Sequence, residues 1–204
     1  MKKLFAALLC LCLLFTCAAL GEDDPKGTYQ DNVYTNTTAG LTFTLPEGWT
    51  FTSQEDLLAM LDTASDLSDN EAYQQALEEG KETVIMAATE TLTGNNINMG
   101  MSLIDEATYA YFGAIGEETY LEAMAEYLAT AYEEMGMEVS SVTVVTADFS
   151  GVEKNALLID LNYLGVELQL FQMIIPTPNY LYSITVTGVT DLTTALDAFR
   201  LLAD

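Results

Sequence analysis

Four extended segments follow one another closely in the second half of the chain. They are predicted over Ser141–Phe149, Asn155–Tyr163, Val166–Ile175 and Tyr180–Thr187. The Leu164-Gly165 pair favours a two-residue hairpin between two of them, and residues 176–179 form a looser connection. Strands joined by such short turns run antiparallel, because a parallel crossover needs a dozen or more residues. The fold therefore has to contain an antiparallel sheet.

The rest of the chain alternates short strands with amphipathic helices. Further strands are predicted over Thr28–Tyr34, Leu41–Leu45, Val84–Glu90 and Asn96–Ile104. Helices are predicted after Ser53, over Asn70–Glu79, over Glu117–Met135 and over the terminal segment Leu192–Leu202. Helices between groups of strands predict an α+β fold, with an antiparallel sheet of about six to seven strands flanked by helices. We place this single domain at residues 28–204, a length that suffices for one full core.

The first 21 residues have the organisation of a bacterial-type signal peptide. Met1-Lys2-Lys3 supplies the positive end, and a continuous apolar run covers Leu4–Phe15. Small residues at Ala19 and Gly21 predict cleavage directly after Gly21. Cleavage there leaves a secreted protein, with residues 22–27 as a short polar tether to the domain.

Lipidation at Cys17 is the alternative to free secretion. Leu14-Phe15-Thr16-Cys17 resembles the lipobox of bacterial lipoproteins, although Phe15 and Thr16 stand where that motif prefers small residues. A diacylated cysteine supplies two chains, which hold a protein stably on a membrane. Free secretion is modestly favoured. Either outcome gives an extracytoplasmic protein, secreted or anchored at the cell surface. Only in the second outcome does Cys17 attach it to a membrane.

The residue types on which many enzymes depend are missing after the leader. Histidine is absent, and all three cysteines, Cys10, Cys12 and Cys17, lie in the leader. These absences exclude cysteine proteases, Ser-His-Asp hydrolases, zinc sites built on His or Cys, and haem ligation by His. We therefore predict no disulfide, cofactor or metal site for the domain.

The chain is strongly acidic, with 31 Asp and Glu residues against 6 Lys and Arg and a net charge of −25. Such a field repels phosphate backbones and anionic headgroups, which argues against nucleic-acid binding and charge-driven membrane binding. The acids are spread along the chain, as expected of a surface that keeps a secreted domain soluble. Cationic partners are the ones that this charge favours.

Two functional interpretations of the acidic residues stay open. Paired carboxylates carry out glycoside hydrolysis, and among 31 acids some pair falls at a workable separation, so a carboxylate-dependent hydrolase is one alternative. Binding of calcium or of a cationic peptide is the other. The cluster Asp62, Asp66, Asp69 and Glu71 lacks the glycine and the twelve-residue spacing of an EF-hand, so helix capping and solvation explain it more simply.

Aromatic residues supply the remaining candidates. Trp49 follows a Pro-Glu-Gly turn, where a tryptophan more often covers one end of a core than stacks on a ligand. Tyr109, Tyr111 and Phe112 precede the long helix in a stretch without a clear periodicity that would bury them. They are candidates for a ligand pocket or an interface, although packing is the favoured interpretation.

Two segments carry a resemblance to a known fold. The segment Gly40-Leu41-Thr42-Phe43-Thr44-Leu45-Pro46-Glu47-Gly48-Trp49 resembles the start of domains of the PsbP/Mog1-like fold, and Ile184–Gly188 with the Ala198-Phe199 helix is similar to their end. The resemblance implies an antiparallel sheet flanked by helices, in proteins that are often exported or lipid-anchored in bacteria. It implies partners as different as a photosystem and a small GTPase. The matching positions are structural, so no functional residue is carried over.

These observations together predict a non-enzymatic, extracytoplasmic binding or scaffolding domain. The export signal, the resemblance and the missing catalytic residue types support this prediction. Its alternatives are the glycosidase-type hydrolase and the calcium or cationic-peptide binder. The sequence names no partner.

Overall fold

The structure is a computed structural model that describes residues 24–53, 55–59, 61, 74–75, 82–134, 136–189 and 192–202. The strands are β1 (Thr28–Gln30), β2 (Val33–Asn36), β3 (Leu41–Thr44), β4 (Trp49–Phe51), β5 (Glu82–Glu90), β6 (Asn96–Leu103), β7 (Glu138–Phe149), β8 (Val152–Tyr163), β9 (Val166–Pro176), β10 (Tyr180–Gly188) and β11 (Phe199–Leu201). The helices are α1 (Glu106–Ile115), α2 (Glu117–Glu134) and α3 (Thr193–Leu196). Residues 55–59 are also helical, directly after the predicted start at Ser53.

Seven strands form an antiparallel large sheet in the order β4-β5-β6-β10-β9-β8-β7. The turns Ser150-Gly151 and Leu164-Gly165 join β7 to β8 and β8 to β9. Both residues of each turn have positive φ, 59° and 84° in the first and 53° and 83° in the second. This is the conformation of type I′ turns, whose twist matches that of the paired strands. The α+β class and the antiparallel sheet predicted from the sequence are confirmed.

A small sheet in the order β1-β2-β3-β11 packs on one face of the large sheet. The predicted strand Thr28–Tyr34 is wrong in one respect, since the chain turns at Asp31, which has a φ of 54°, and forms two strands. Tyr34 and Phe43 of the small sheet are fully buried against Ile184 and other apolar residues of the large sheet. The main core therefore lies between the two sheets.

The predicted helix over Leu192–Leu202 is wrong beyond residue 196. Only Thr193–Leu196 is helical, and β11 instead pairs with β3, which sets Phe199 opposite Phe43. Phe199 is fully buried, with its ring centroid 4.9 Å from that of Phe43 and 5.3 Å from that of Phe149. The apolar residues of this segment fit a strand as well as a helix, and pairing with the edge of β3 decides between the two.

Helices α1 and α2 cover part of the opposite face of the large sheet. Leu121 and Leu128 of α2 pack among the apolar residues of β8 and β9 in a second core. Helix α1 begins at Asp105, whose carboxylate accepts a hydrogen bond from the amide of Thr108 at 2.7 Å. Its one buried residue is Phe112, so the sequence shows no apolar stripe there. This explains why the stretch gave no prediction of a helix.

The last residues of the predicted tether are fixed to the domain. The hydroxyl of Tyr34 donates to the carbonyl oxygen of Lys26 at 2.8 Å. Two further donors reach the carbonyl oxygen of Pro25, the Asn36 side-chain amide at 2.9 Å and the Tyr182 hydroxyl at 3.1 Å. All three donor residues are fully buried. Buried side chains of the domain therefore hold the backbone of this segment at Pro25 and Lys26.

Several predictions concern residues outside the described ranges and stay predictions. They are the signal peptide with Cys17, the acidic cluster of Asp62, Asp66, Asp69 and Glu71, and, apart from residues 74–75, the helix over Asn70–Glu79. Within the described ranges, no helix combines the length and the apolar character needed to span a membrane.

We expect the domain to lose stability above pH 10, because its buried tyrosines must stay neutral. Burial raises the pKa values of Tyr34, Tyr120 and Tyr182 well above the ordinary value of 10.0. The stability that these groups contribute is fully present below pH 10, where the unfolded chain is also protonated, and is lost as the pH rises through the folded values. Circular dichroism and tyrosinate absorbance during an alkaline titration test this. A tyrosinate signal that is complete by about pH 12 in a protein that keeps its folded spectrum contradicts the prediction.

Candidate functional site

A groove of about 870 Å³ lies on the face of the large sheet that also carries the small sheet. It runs over β7, β8 and β9, and α3 with the residues before it forms one wall. Among the described residues that line it, none belongs to the small sheet. Its apolar lining includes Val145, Ala147, Leu158, Phe171, Val189, Leu192 and Leu196. The groove is thus the part of this face that the small sheet leaves uncovered.

Strand register places the polar lining of the groove in two rows. Asn162 of β8 is paired with Glu138 on β7 and with Glu167 on β9. Paired residues of neighbouring strands project to the same face, and each step between strands is about 4.8 Å. The two glutamates are therefore separated by about 10 Å along this row. They stand at one end of the groove, with an amide side chain between them.

The second row is a hydrogen-bonded set around Asp160. Asp160 is paired with Ser141 on β7 and Gln169 on β9, next to a β-bulge after Val139. The Ser141 hydroxyl donates to Asp160 Oδ2 at 2.7 Å, and Gln169 Nε2 donates to Asp160 Oδ1 at 2.9 Å. Both hydrogen bonds lower the pKa of the Asp160 carboxyl, and the bond from Gln169 has the larger effect. Asp160 is thus held in a fixed orientation as a carboxylate.

The charged side chains among the described lining residues of the groove are all acidic. Glu138, Asp160 and Glu167 line it, and no Lys or Arg is among its described lining residues. Carboxylates with no compensating cation nearby favour a positively charged ligand, and the net charge of −25 adds to this preference. The apolar floor beside them suits the carbon skeleton of such a ligand.

The sequence-predicted aromatic candidates lie away from this groove. Tyr109 and Tyr111 are on the surface of α1, with 38% and 57% of their area exposed. Phe112 is buried and packs against Tyr120 with ring centroids 4.5 Å apart. None of the three candidates is among the described groove residues. A role for Tyr109 and Tyr111 in an interface stays a prediction.

Trp49 is a core residue, as the sequence predicted. It lies on β4 and is 8% exposed among the apolar residues between the two sheets. In the described part of the chain, no group of three or more His, Cys, Asp or Glu residues is arranged to hold a metal ion. The calcium prediction is not tested by this, because its acidic cluster lies outside the described residues.

Sequence reasoning missed the groove, although β8 contains a signal for it. Leu157, Ile159 and Leu161 face the helices, whereas Leu158, Asp160 and Asn162, which alternate with them, line the groove. This alternation predicts that one face of β8 is partly exposed to solvent near the C-terminal end of the strand. The signal does not show that the small sheet stops short of these positions, because that depends on the pairing of β11 with β3.

Comparisons with known proteins give similarity at the level of structure. No protein-family model matches the chain, and neither does any curated protein. The solution structure of the cyanobacterial PsbP (CyanoP) from Synechocystis sp. PCC 6803 has 12% identity and a TM-score of 0.44, with 92% of this chain and 98% of that chain covered. A PsbP is thus among the structures to which this chain is similar.

Two further structures are similar at the same level. LpqN, which is involved in cell envelope biogenesis of Mycobacterium tuberculosis, has 11% identity and a TM-score of 0.41 over 80% of this chain and 83% of its own. A protein from Bacteroides thetaiotaomicron VPI-5482 has 10% identity and a TM-score of 0.37 over 86% of this chain and 50% of its own. At these values the similarities carry no inference about what the chain binds.

Proposed function

We propose that the chain is a non-enzymatic binding domain that works outside the cytoplasm and holds a cationic, partly apolar ligand in the groove. The observation that carries the proposal is the combination of an apolar floor with Glu138, Asp160 and Glu167 in one concavity. The signal peptide predicted in the first 21 residues supports the location. The absence of His, and of Cys after the leader, supports a role in binding rather than in catalysis.

The shifted carboxyl groups favour binding over glycoside hydrolysis. A glycosidase needs one carboxyl group with a raised pKa that can protonate the leaving group. In the described part of the chain, the resolved carboxyl shifts are those of Asp105 and Asp160, and both pKa values are lowered by hydrogen bonds. A carboxylate held in this way attracts a cation and is a poor proton donor.

The groove is tested with two small probes that differ in charge. Phenethylamine and 3-phenylpropanoate carry similar apolar bodies with opposite charges. We expect phenethylamine to shift the backbone amide resonances of groove residues on β8 and β9, because the carboxylates attract its ammonium group while its ring covers the apolar floor. The carboxylate probe should leave these resonances unchanged.

A pair of charge-matched variants assigns the binding to the groove. The double variant Asp160→Asn and Glu167→Gln is expected to weaken phenethylamine binding about tenfold, because it removes two charges from the lining. Glu122→Gln with Glu153→Gln removes the same charge from exposed positions outside the groove and should leave the affinity unchanged. Equal weakening in both variants, or equal binding of the two probes, contradicts the proposal.

A further inference from the structure

Strand β7 forms a long and exposed edge of the large sheet. It has twelve residues, and in the described part of the chain it pairs only with β8. No residue from Glu138 to Asp148 is buried. The opposite edge is different, because β4 has only three residues and Trp49 at its start is buried. The two edges of the sheet are thus unequal, and β7 is the one that a further strand can reach.

The turn after β7 fixes which of its backbone groups point outward. In a two-residue hairpin the residues that flank the turn, here Phe149 and Val152, exchange both of their backbone hydrogen bonds. Bonded and non-bonded pairs then alternate along the strand. The N–H and C=O groups directed away from β8 are therefore those of four alternate residues, Val142, Val144, Thr146 and Asp148.

The middle of this edge lacks the usual protection against pairing. Natural edges carry lysines, prolines or bulges, or are kept short. The bulge of β7 lies near its start, between Val139 and Ser141. From Val142 to Ala147 the sequence is Val-Thr-Val-Val-Thr-Ala, with no charge and no proline. This stretch is rich in residues that favour strands.

We propose that β7 is a docking edge for strand addition, and that its partner is an extended polypeptide segment with basic residues at both ends. Acidic residues border the neutral stretch, Glu138 at the start and Asp148 near the end. Nine residues lie between them. Because the bulge after Val139 adds one unpaired residue, the two acids are about 30 Å apart and lie on opposite faces of the sheet, Glu138 beside Asn162 and Asp148 beside Glu153. A segment with lysine or arginine about nine positions apart, and so also on opposite faces, matches this pattern, with neutral strand-forming residues between.

A second copy of the chain fits this edge poorly. Antiparallel pairing of two β7 strands about Thr143 would set Glu138 of each copy opposite Ala147 of the other, one position from Asp148. Like charges this close on paired strands repel each other, which disfavours the pairing. The net charge of −25 on each chain adds to the repulsion. The acidic ends therefore select a basic partner over self-association. This inference goes beyond the groove and does not depend on the ligand proposed there.

The test uses two ten-residue peptides in which threonine and valine alternate between charged ends, so that the two end residues project to opposite faces as the two acids do. One has lysine at both ends and the other has glutamate. We expect the lysine peptide to bind about tenfold more tightly, since two attractive end pairs replace two repulsive ones. Binding should slow amide hydrogen exchange about tenfold or more at the four outward residues Val142, Val144, Thr146 and Asp148, while the inward amides between them are already protected.

A matched pair of substitutions at Thr146 separates the effect of its outward backbone N–H group from the effect of its side chain. Thr146→Pro removes an outward N–H and leaves the bonds to β8 in place, so we expect the lysine peptide to bind about tenfold more weakly. Thr146→Ala removes the same side chain but keeps the N–H, and it should bind as the unchanged protein does. If Thr146→Pro fails to fold, methylation of alternate backbone nitrogens in the peptide blocks the same bonds from the other side.

Four outcomes overturn the proposal. They are equal affinity for the two peptides, slowed exchange at inward amides or away from β7, equal binding by the two Thr146 variants, and slowed exchange of the outward amides at high protein concentration without peptide. The last of these would assign the edge to a second copy. The groove variant Asp160→Asn with Glu167→Gln should keep its affinity for the lysine peptide, so failure of the groove and failure of the edge are distinguishable.

Discussion

Replacing Phe199 by alanine is expected to lower the free energy of unfolding by about 4 kcal/mol, because it empties a fully buried aromatic site. The ring contacts Phe43 on the small sheet and Phe149 at the end of β7, so its loss loosens both sheets. Urea denaturation followed by circular dichroism measures the change. The thermal midpoint should fall by about 10 °C for a domain of this length.

Leu202→Ala is the matched control for this prediction. Leu202 lies one residue beyond β11 and is 38% exposed, so its truncation should lower the free energy of unfolding by less than about 1 kcal/mol. A terminal amphipathic helix would place residues 199 and 202 on the same buried face. Similar losses for the two variants would therefore favour the helix and contradict the strand.

Gly27→Ala is expected to lower the free energy of unfolding by about 3 kcal/mol. Gly27 has a φ of +70°, and an added Cβ would lie 2.6 Å from the carbonyl oxygen of Thr35 and 2.7 Å from the Tyr34 hydroxyl. Neither neighbour moves easily, because Thr35 is paired with Thr28 and Tyr34 holds the carbonyl group of Lys26. The substitution therefore breaks the attachment of the N-terminal segment.

Gly40→Ala separates steric conflict from backbone strain. Gly40 has a φ of +69°, nearly that of Gly27, but nothing lies within 4 Å of the position of an added Cβ. The Gly40→Ala substitution should lower the free energy of unfolding by only about 1 kcal/mol, which is the cost of a left-handed conformation for a residue with a Cβ. Denaturation of the two variants under the same conditions makes the comparison. Equal losses would show that an added Cβ at residue 27 meets no steric conflict and would contradict the prediction.

The large sheet was predictable because its signals are local. Each strand from β7 to β10 is a separate apolar or alternating run, and the Leu164-Gly165 turn is visible in two residues. The small sheet was only partly predictable. Its first strand was merged with its second, because the turn at Asp31 lacks a glycine or proline, and its last strand was assigned to a helix. The second error arises because pairing with the distant strand β3 outweighs local preference.

The candidate site was harder to predict than the fold. Asp160 is one acid among 31, and its neighbours Ser141 and Gln169 become meaningful only when register sets all three in one row. The exposed edge at β7 was equally hard to predict from the sequence. Its sequence predicts a strand, but only the strand order shows that it is the outermost strand of the described sheet. Function in this chain depends on which strands are neighbours, and periodicity within one strand does not contain that information.

The pairing of β11 with β3 has a consequence for the order in which the protein folds. Leu41 and Leu201 are direct partners, yet about 160 positions of chain separate them. The hairpins β7–β8 and β8–β9 close over two residues and can form early, whereas this contact requires the ends of the domain to meet. During refolding, the large sheet should gain amide protection before the small sheet does. Until β11 docks, Phe43 and Phe149 lack the ring that covers them, which makes the late intermediate the species most exposed to aggregation.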